Sequence, residues 1–293
     1  MSVEDDFRTL RYFHYMPNLP LAIVALVVYA FFSVFLFIRI SRSKSRQFLY
    51  VLPWTALFEA LGYLLRILCR VQGSTLPNYV VMMMCLLLSP NALAMVNYKA
   101  VGEIIRLSNV PTDRFYFQPK FVTWFFFSSD IFSFLLQGSG GGLQASGDMK
   151  KADIGKMIAL VGLAIQLFFF ACFALITIYV HRSSKYQYTV IEETNAKNKM
   201  IYCLYITIAF LYIRSVYRVV EFGSGWDGAI ASAEWAFYVF DTLAIAISFI
   251  CYCTLFMGNY LPKRDAIPLP IDIRSQSSSI CANQLEKGLQ QYV

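Results

Sequence analysis

Eight ionisable side chains, Glu59, Arg66, Asp130, Arg214, Arg218, Glu221, Glu234 and Asp241, lie within or at the edges of apolar stretches long enough to cross a bilayer. Each would cost about 2.5 to 3.5 kcal/mol at the centre of a membrane helix, so eight facing lipid would cost roughly 20 kcal/mol or more. A folded domain holds only about 5 to 15 kcal/mol of net stability. The chain can fold in a bilayer only if these groups turn inward and meet one another or a wet cavity. The sequence therefore predicts that they converge inside a helical bundle.

A bilayer is the required solvent. With 58% hydrophobic and only 15% charged residues, a soluble globule of 293 residues would lack the polar side chains to cover its surface. About 20 apolar residues at 1.5 Å rise span the hydrocarbon, and seven such stretches can be read. They run from Leu19 to Ile40, Phe48 to Cys69, Tyr79 to Gly102, Phe121 to Gln137, Gly155 to Val180, Met200 to Val220 and Ser232 to Phe256. The fourth is short. The fold class expected is all-α, a polytopic membrane protein built as a bundle of seven transmembrane helices. Pro53 and Pro90 fall inside spans and are expected to kink them, while Tyr50, Trp54 and Tyr260 near span ends suit interfacial anchoring.

Basic residues set the orientation. The first, third and fifth loops and the C-terminal segment each carry four Lys or Arg, such as Arg39, Arg42, Lys44 and Arg46 in the first. The opposite side has only Arg8, Arg11, Arg70, Lys150, Lys151 and Lys156. This bias places the N-terminus outside and the C-terminus in the cytosol. The expected organisation is an extracellular N-tail over 1–18, a seven-helix domain over 19–260, and a disordered cytosolic tail over 261–293, where proline, serine and glutamine predominate. The net charge of +7 is spread over short loops, so it orients the chain instead of forming a nucleic-acid surface.

Helical spacing turns the buried charges into stripes. Glu59, Gly62, Tyr63 and Arg66 share one face of their helix; so do Arg214, Tyr217, Arg218 and Glu221, and so do Glu234, Tyr238 and Asp241. Asp130, Gln137, Gln166, Ser89 and Asn91 add polar groups on other spans. Such stripes could serve only to orient helices through ion pairs. The charge count points further, because five acids face three arginines. A carboxylate left over would suit an amphiphile bearing an amine, held on Asp130 or Asp241, with Arg66 and Arg218 organising the remaining carboxylates.

Several of these residues fall in recognisable strings. Glu59-Ala60-Leu61-Gly62-Tyr63-Leu64-Leu65-Arg66, Ser89-Pro90, Asp130 to Gln137 followed by Gly140-Gly141-Gly142, Gly162-Leu163 to Gln166, Tyr217-Arg218-Val219-Val220-Glu221-Phe222 with Gly225, and Glu234 to Tyr238 to Asp241 stand in that order. Over about Pro17 to Phe256 the chain resembles the fungal lipid-translocating exporter family, which includes aminocholesterol-resistance, sphingoid-base-release and protoporphyrin-uptake proteins. The resemblance implies seven helices, a plasma-membrane or endomembrane setting, and export or tolerance of amphiphiles such as sphingoid long-chain bases. It also implies a lipid or amphiphilic small molecule as partner, and no cofactor is expected.

A seven-helix receptor-like lipid sensor, or a regulator of lipid asymmetry, is the alternative, since the spans carry no inner-half charges to complete a polar path. It lacks an Asp/Glu-Arg-Tyr ending to the third helix and an Asn-Pro-x-x-Tyr in the seventh. A retinal protein would need a Schiff-base lysine between Ala233 and Phe256, where none stands. An enzyme is not indicated, because His14 and His181 fall at opposite ends of the expected topology and no metal-ligand spacing is present. Cysteines within spans read as small apolar groups. The run Gly138 to Gly142 lacks the Lys-Ser or Lys-Thr of a phosphate loop and is expected to form a flexible outer loop.

Overall fold

Among the described residues, seven long helices account for nearly all of the regular structure. A computed structural model describes residues 13, 15–108, 118–144, 149–186, 196–224 and 233–261. Most of the expected tails, residues 1–12 and 262–293, lies outside the described residues, as does Gly225. The helices are α1 (Leu19–Ser43), α2 (Val51–Gln72), α3 (Leu76–Leu107), α4 (Pro119–Gln144), α5 (Met149–Arg182), α6 (Ala196–Ser224) and α7 (Glu234–Thr254). A 3-10 turn (Gln47–Tyr50) leads into α2, and a single-turn helix, α8 (Met257–Tyr260), follows α7. All seven long helices are apolar enough to span a bilayer. The chain is thus a multi-pass membrane protein with the all-α architecture expected.

Helices suit this solvent because hydrocarbon offers no partners for backbone N–H and C=O groups, which a helix satisfies within itself. Local sequence fixes several ends. The Asn18 side chain accepts from Leu21 N (3.4 Å) to cap α1, and Lys44 at φ 47° closes it. At the end of α2, Gly73 takes φ 80°, a value open to glycine without a Cβ clash.

Consecutive helices pack side by side from α1 to α7, α7 returns to α1, and α3 also touches α6 across the ring. Side chains such as Val27, Phe31, Trp124, Phe168 and Leu175 point outward and are exposed, as a lipid-facing surface requires. Inside, Tyr29, Leu36, Leu93, Phe173, Leu204 and Phe249 belong to one continuous buried core.

Four expectations are corrected by packing. The fourth span is not short, and Gly138 to Gly142 form helix instead of a loop, because α4 runs on to Gln144. A Cβ at Gly140 would stand 2.5 Å from Gly155 O and 2.9 Å from the Ala159 Cβ, and one at Gly162 would stand 2.9 Å from Ser133 O. Small residues on both helices let α4 and α5 approach closely, and that contact outweighs glycine's poor helix propensity. Pro53 lies in the first turn of α2, where the missing N–H would have no partner within the helix anyway, so it does not break the span. Tyr260 is buried on α8 and is not an interfacial anchor, whereas Trp54 is exposed as expected.

Helix α7 is irregular at a telling place. Residues Phe237–Thr242 form a π-helical turn, which widens the helix by one residue and ends on Asp241 and Thr242. That turn is where the buried charges meet.

Candidate functional site

The stripe on α6 meets the π turn of α7 in a compact knot. Asp241 is clamped by two arginines: Arg214 Nε lies 2.5 Å from its Oδ1, and Arg218 Nη2 lies 2.7 Å from its Oδ2. Arg218 Nη1 also reaches Glu221 Oε2 at 3.0 Å. Arg218 and Asp241 are each about 1% exposed and Arg214 3%, so the groups are charged in surroundings that tolerate charge only when it is paired. Glu59 of α2 is buried beside them, close enough to feel both guanidiniums, yet its Oε2 has no hydrogen-bond partner.

Pro90 explains a further contact of Arg214. Lacking an N–H, Pro90 cannot bond to the carbonyl four residues earlier, that of Leu86. Arg214 Nη2 donates to Leu86 O at 3.1 Å. A side chain of α6 thereby supplies the donor that the proline of α3 withholds, and the helix continues from Leu76 to Leu107.

A second ion pair sits toward the end of the bundle that carries the N-terminal segment. Arg66 Nη2 lies 3.3 Å from Glu234 Oε1 and donates to the Tyr15 hydroxyl at 2.8 Å. The rings of Phe13, Tyr15, Phe237 and Tyr238 surround its guanidinium at 4.6 to 5.7 Å from their centroids, a cation–π cage. Asn18 N donates to the same Glu234 oxygen at 2.7 Å. Phe13 and residues 15–18 thus fold over this end of the site. Burial pushes the Tyr15 phenol above its ordinary value, with the Arg66 charge opposing. Between the two ion clusters, the Tyr63 and Thr242 hydroxyls bond at 2.6 Å, and Tyr29, stacked on Tyr63, donates to Thr242 O at 2.6 Å.

Asp130 does not join this cluster, which corrects the expectation of one chamber holding all eight charges. It lies on α4, on the far side of α3. Tyr98 donates to its Oδ2 at 2.6 Å, its Oδ1 has no partner, and no cation pairs with it among the described residues. It lines a groove of about 560 Å³ between α2, α3 and α4, walled by apolar side chains such as Trp54, Phe58, Met95 and Leu135. Gln47, Tyr50, Thr55, Ser89 and Asn91 add further polar groups to its wall. From Asn91 a line of amides runs from α3 through α5 to α4: Gln166 Nε2 donates to Asn91 Oδ1 at 2.6 Å, and Gln137 Nε2 donates to Gln166 Oε1 at 2.7 Å. Gln137 also lines a smaller cavity of about 60 Å³ with Tyr79, Met84, Gly138 and Phe222.

The predicted site residues therefore fall into three groups. Glu59, Tyr63, Arg218, Glu221, Asp241 and Tyr238 gather at or around the π turn, with Arg66 and Glu234 just beyond. Asp130 stands in the groove, and Gln137 and Gln166 form the amide line. Tyr217 joins none of them by a polar bond described here; it stacks on Phe240 at 5.7 Å and packs α6 against α7. Asp241, expected to be free to hold an amine, has both oxygens occupied by arginine. Sequence reasoning missed Tyr98 and the bond from Arg214 to Leu86. The presence of a tyrosine in an apolar span is a readable signal, but its pairing with an acid on another helix is not.

Fold and site together define a seven-helix membrane protein that keeps an ion-pair knot and a lipid-accessible apolar groove in separate parts of its bundle. The chain belongs to the RTA1-like protein family, whose model matches residues 52–264. Protoporphyrin uptake protein 1 of Saccharomyces cerevisiae is 29% identical over 205 residues, covering 69% of this chain and 67% of that protein. Protein RTA1 of the same yeast is 28% identical over 200 residues, 68% of this chain and 62% of its own. The sphingoid long-chain base transporter RSB1 is 24% identical over 298 residues, 87% of this chain and 75% of its own. The chain spans about two thirds of the length of the first two of these relatives. No solved structure matches it.

Proposed function

We propose that this protein moves amphiphilic lipids across its membrane, with cationic ones such as sphingoid long-chain bases or aminosterols as substrates, and so protects the cell against them. One observation carries the reading: an unpaired carboxylate, Asp130, lines an apolar groove open between α2, α3 and α4. Such a groove accepts a hydrocarbon chain from the side, and the carboxylate accepts the amine. Gln47 and Tyr50, at the start of the second span, line one end of the groove. With the N-terminus outside, that end belongs to the cytosolic leaflet. The amides of Asn91, Gln166 and Gln137 then offer polar stepping points for the head toward the smaller cavity and the outer leaflet.

In this mechanism the clamped Asp241 is structural. It binds α6 to α7 and leaves the amine to Asp130. Relatives named for sphingoid-base transport and protoporphyrin uptake support an amphiphile as the cargo class, and the plasma membrane is the natural site for such export.

The test is reconstitution of the purified chain in phosphatidylcholine vesicles with a fluorescent sphingoid base, its leaflet followed by dithionite quenching. Movement between leaflets should exceed that of empty vesicles. It should fall at least about tenfold in Asp130→Asn, the loss of roughly 1.4 kcal/mol of head-group pairing. Saturable binding without movement would overturn transport and establish the lipid-sensor alternative.

A further inference from the structure

Asp130 differs from the other buried acids in having no cationic side chain against it among the described residues. Asp241 is held by Arg214 and Arg218, Glu234 by Arg66, Glu221 by Arg218, and Glu59 lies near enough to two guanidiniums to feel their charge. Around Asp130 the groove receives Trp54, Thr55 and Phe58 from α2, Ser89, Asn91 and Met95 from α3, and Gln47 and Tyr50 from the turn before α2. From α5, Phe170 and Phe173 close on the ring of Tyr98. The titratable groups among them are Tyr98 and Tyr50, and among the described residues no lysine, arginine or histidine lines the groove.

An ionised carboxylate left alone in such surroundings carries a desolvation cost of several kcal/mol. A proton on Oδ1, the oxygen without a partner, removes that cost and leaves the Tyr98 bond to Oδ2 in place. A cationic head entering the groove brings the same relief by pairing. Proton and cation are therefore competing occupants of one oxygen pair.

We infer that Asp130 exchanges a proton for the cationic head of the amphiphile, making the protein a proton–lipid antiporter. The inference rests on the transport reading above and adds its energy source. On the loading side, the Asp130 carboxylic acid plus the substrate cation gives the carboxylate paired with that cation, and one proton passes to water. On the far side the carboxylate takes up one proton, and the cation leaves. One cation crosses in one direction and one proton in the other, so no net charge crosses per cycle.

The probe is N,N,N-trimethylsphingosine, whose fixed charge prevents it from ferrying a proton by itself. Vesicles holding the protein are given a pH step in one set, and in another a potassium diffusion potential set with valinomycin. Electroneutral exchange predicts that the probe accumulates on the more acidic side, its ratio changing about tenfold per pH unit. The diffusion potential should have no effect on that ratio. Asp130→Glu should keep this coupling, whereas Asp130→Asn should abolish it; elution of the Asn variant as a folded monodisperse species confirms that loss of coupling is not loss of fold. Movement that follows the potential and ignores the pH step would overturn the exchange while leaving transport standing, as would unchanged pH coupling in Asp130→Asn. Absence of movement under both conditions, with a neutral amine lipid also immobile, would overturn the transport reading and the exchange with it.

Discussion

Replacing Asp241 with asparagine removes the charge on which two buried arginines depend. Arg214 and Arg218 contact its oxygens at 2.5 and 2.7 Å, with 1 to 3% exposure on all three residues. After the change, Arg218 keeps Glu221 at 3.0 Å, but Arg214 keeps the neutral Leu86 carbonyl and the nearby charge of Glu59, with no direct ion pair. Breaking one partner of a buried ion pair costs about 3 to 5 kcal/mol, because the remaining charge stays desolvated. At roughly 2 to 4 °C per kcal/mol for a chain of this size, the apparent melting temperature in detergent should fall on the order of 10 °C. The double variant Arg214→Gln/Asp241→Asn removes one charge of each sign and should recover a substantial part of that loss. Thermal scans monitored by size-exclusion chromatography measure both. A fall of under about 2 °C in Asp241→Asn would refute the reasoning, since a shift so small corresponds to about 1 kcal/mol, the range of a surface pair.

Other substitutions probe separate contacts. Gly140→Val should separate α4 from α5 and lower stability by about 1 to 3 kcal/mol, whereas Gly141→Ala, with nothing within 4 Å of the added Cβ, should be neutral or slightly stabilising; thermal scans of the two decide whether the glycine run is packed helix. In a double-mutant cycle, Arg214→Gln should cost about 1 kcal/mol less in a Pro90→Ala background than alone, because the alanine N–H then satisfies Leu86 O; additive costs would count against the shared carbonyl. The thiols of Cys203 and Cys251 touch at 3.4 Å between α6 and α7, and a bond requires them to close by about 1.4 Å to roughly 2 Å. Copper–phenanthroline should therefore join them within the chain, seen by mass spectrometry as a cross-linked peptide that Cys251→Ser eliminates.

Much of the site is legible in the order of residues along the chain. The spacing of Glu59, Tyr63 and Arg66 puts them on one face, and all three are buried together. The stripe through Arg214 and Arg218 is likewise real. Yet the same spacing places Tyr217 among them, and it turns instead to stack on Phe240. Periodicity gives the side of a helix and not the neighbour that side meets. The glycines after Gln137 mislead for a related reason: propensity is local, while the close approach of Gly155 and Ala159 that favours helix there comes from another segment.

What the chain determined by itself was its solvent, its seven helices and the inward turn of its charges, since apolar length and the cost of a charge in hydrocarbon are properties each segment carries alone. The stranding of the Leu86 carbonyl by Pro90 is equally local, because the offset of four residues is set by the helix itself. Only the assembled bundle decided that Arg214 would answer that carbonyl, that Asp241 would be claimed by two arginines, and that Asp130 would face an apolar groove without a cation. Those outcomes depend on the depth and rotation of one helix against another. Both are settled by packing, here by small residues and a π turn that set how closely and at what angle the helices meet.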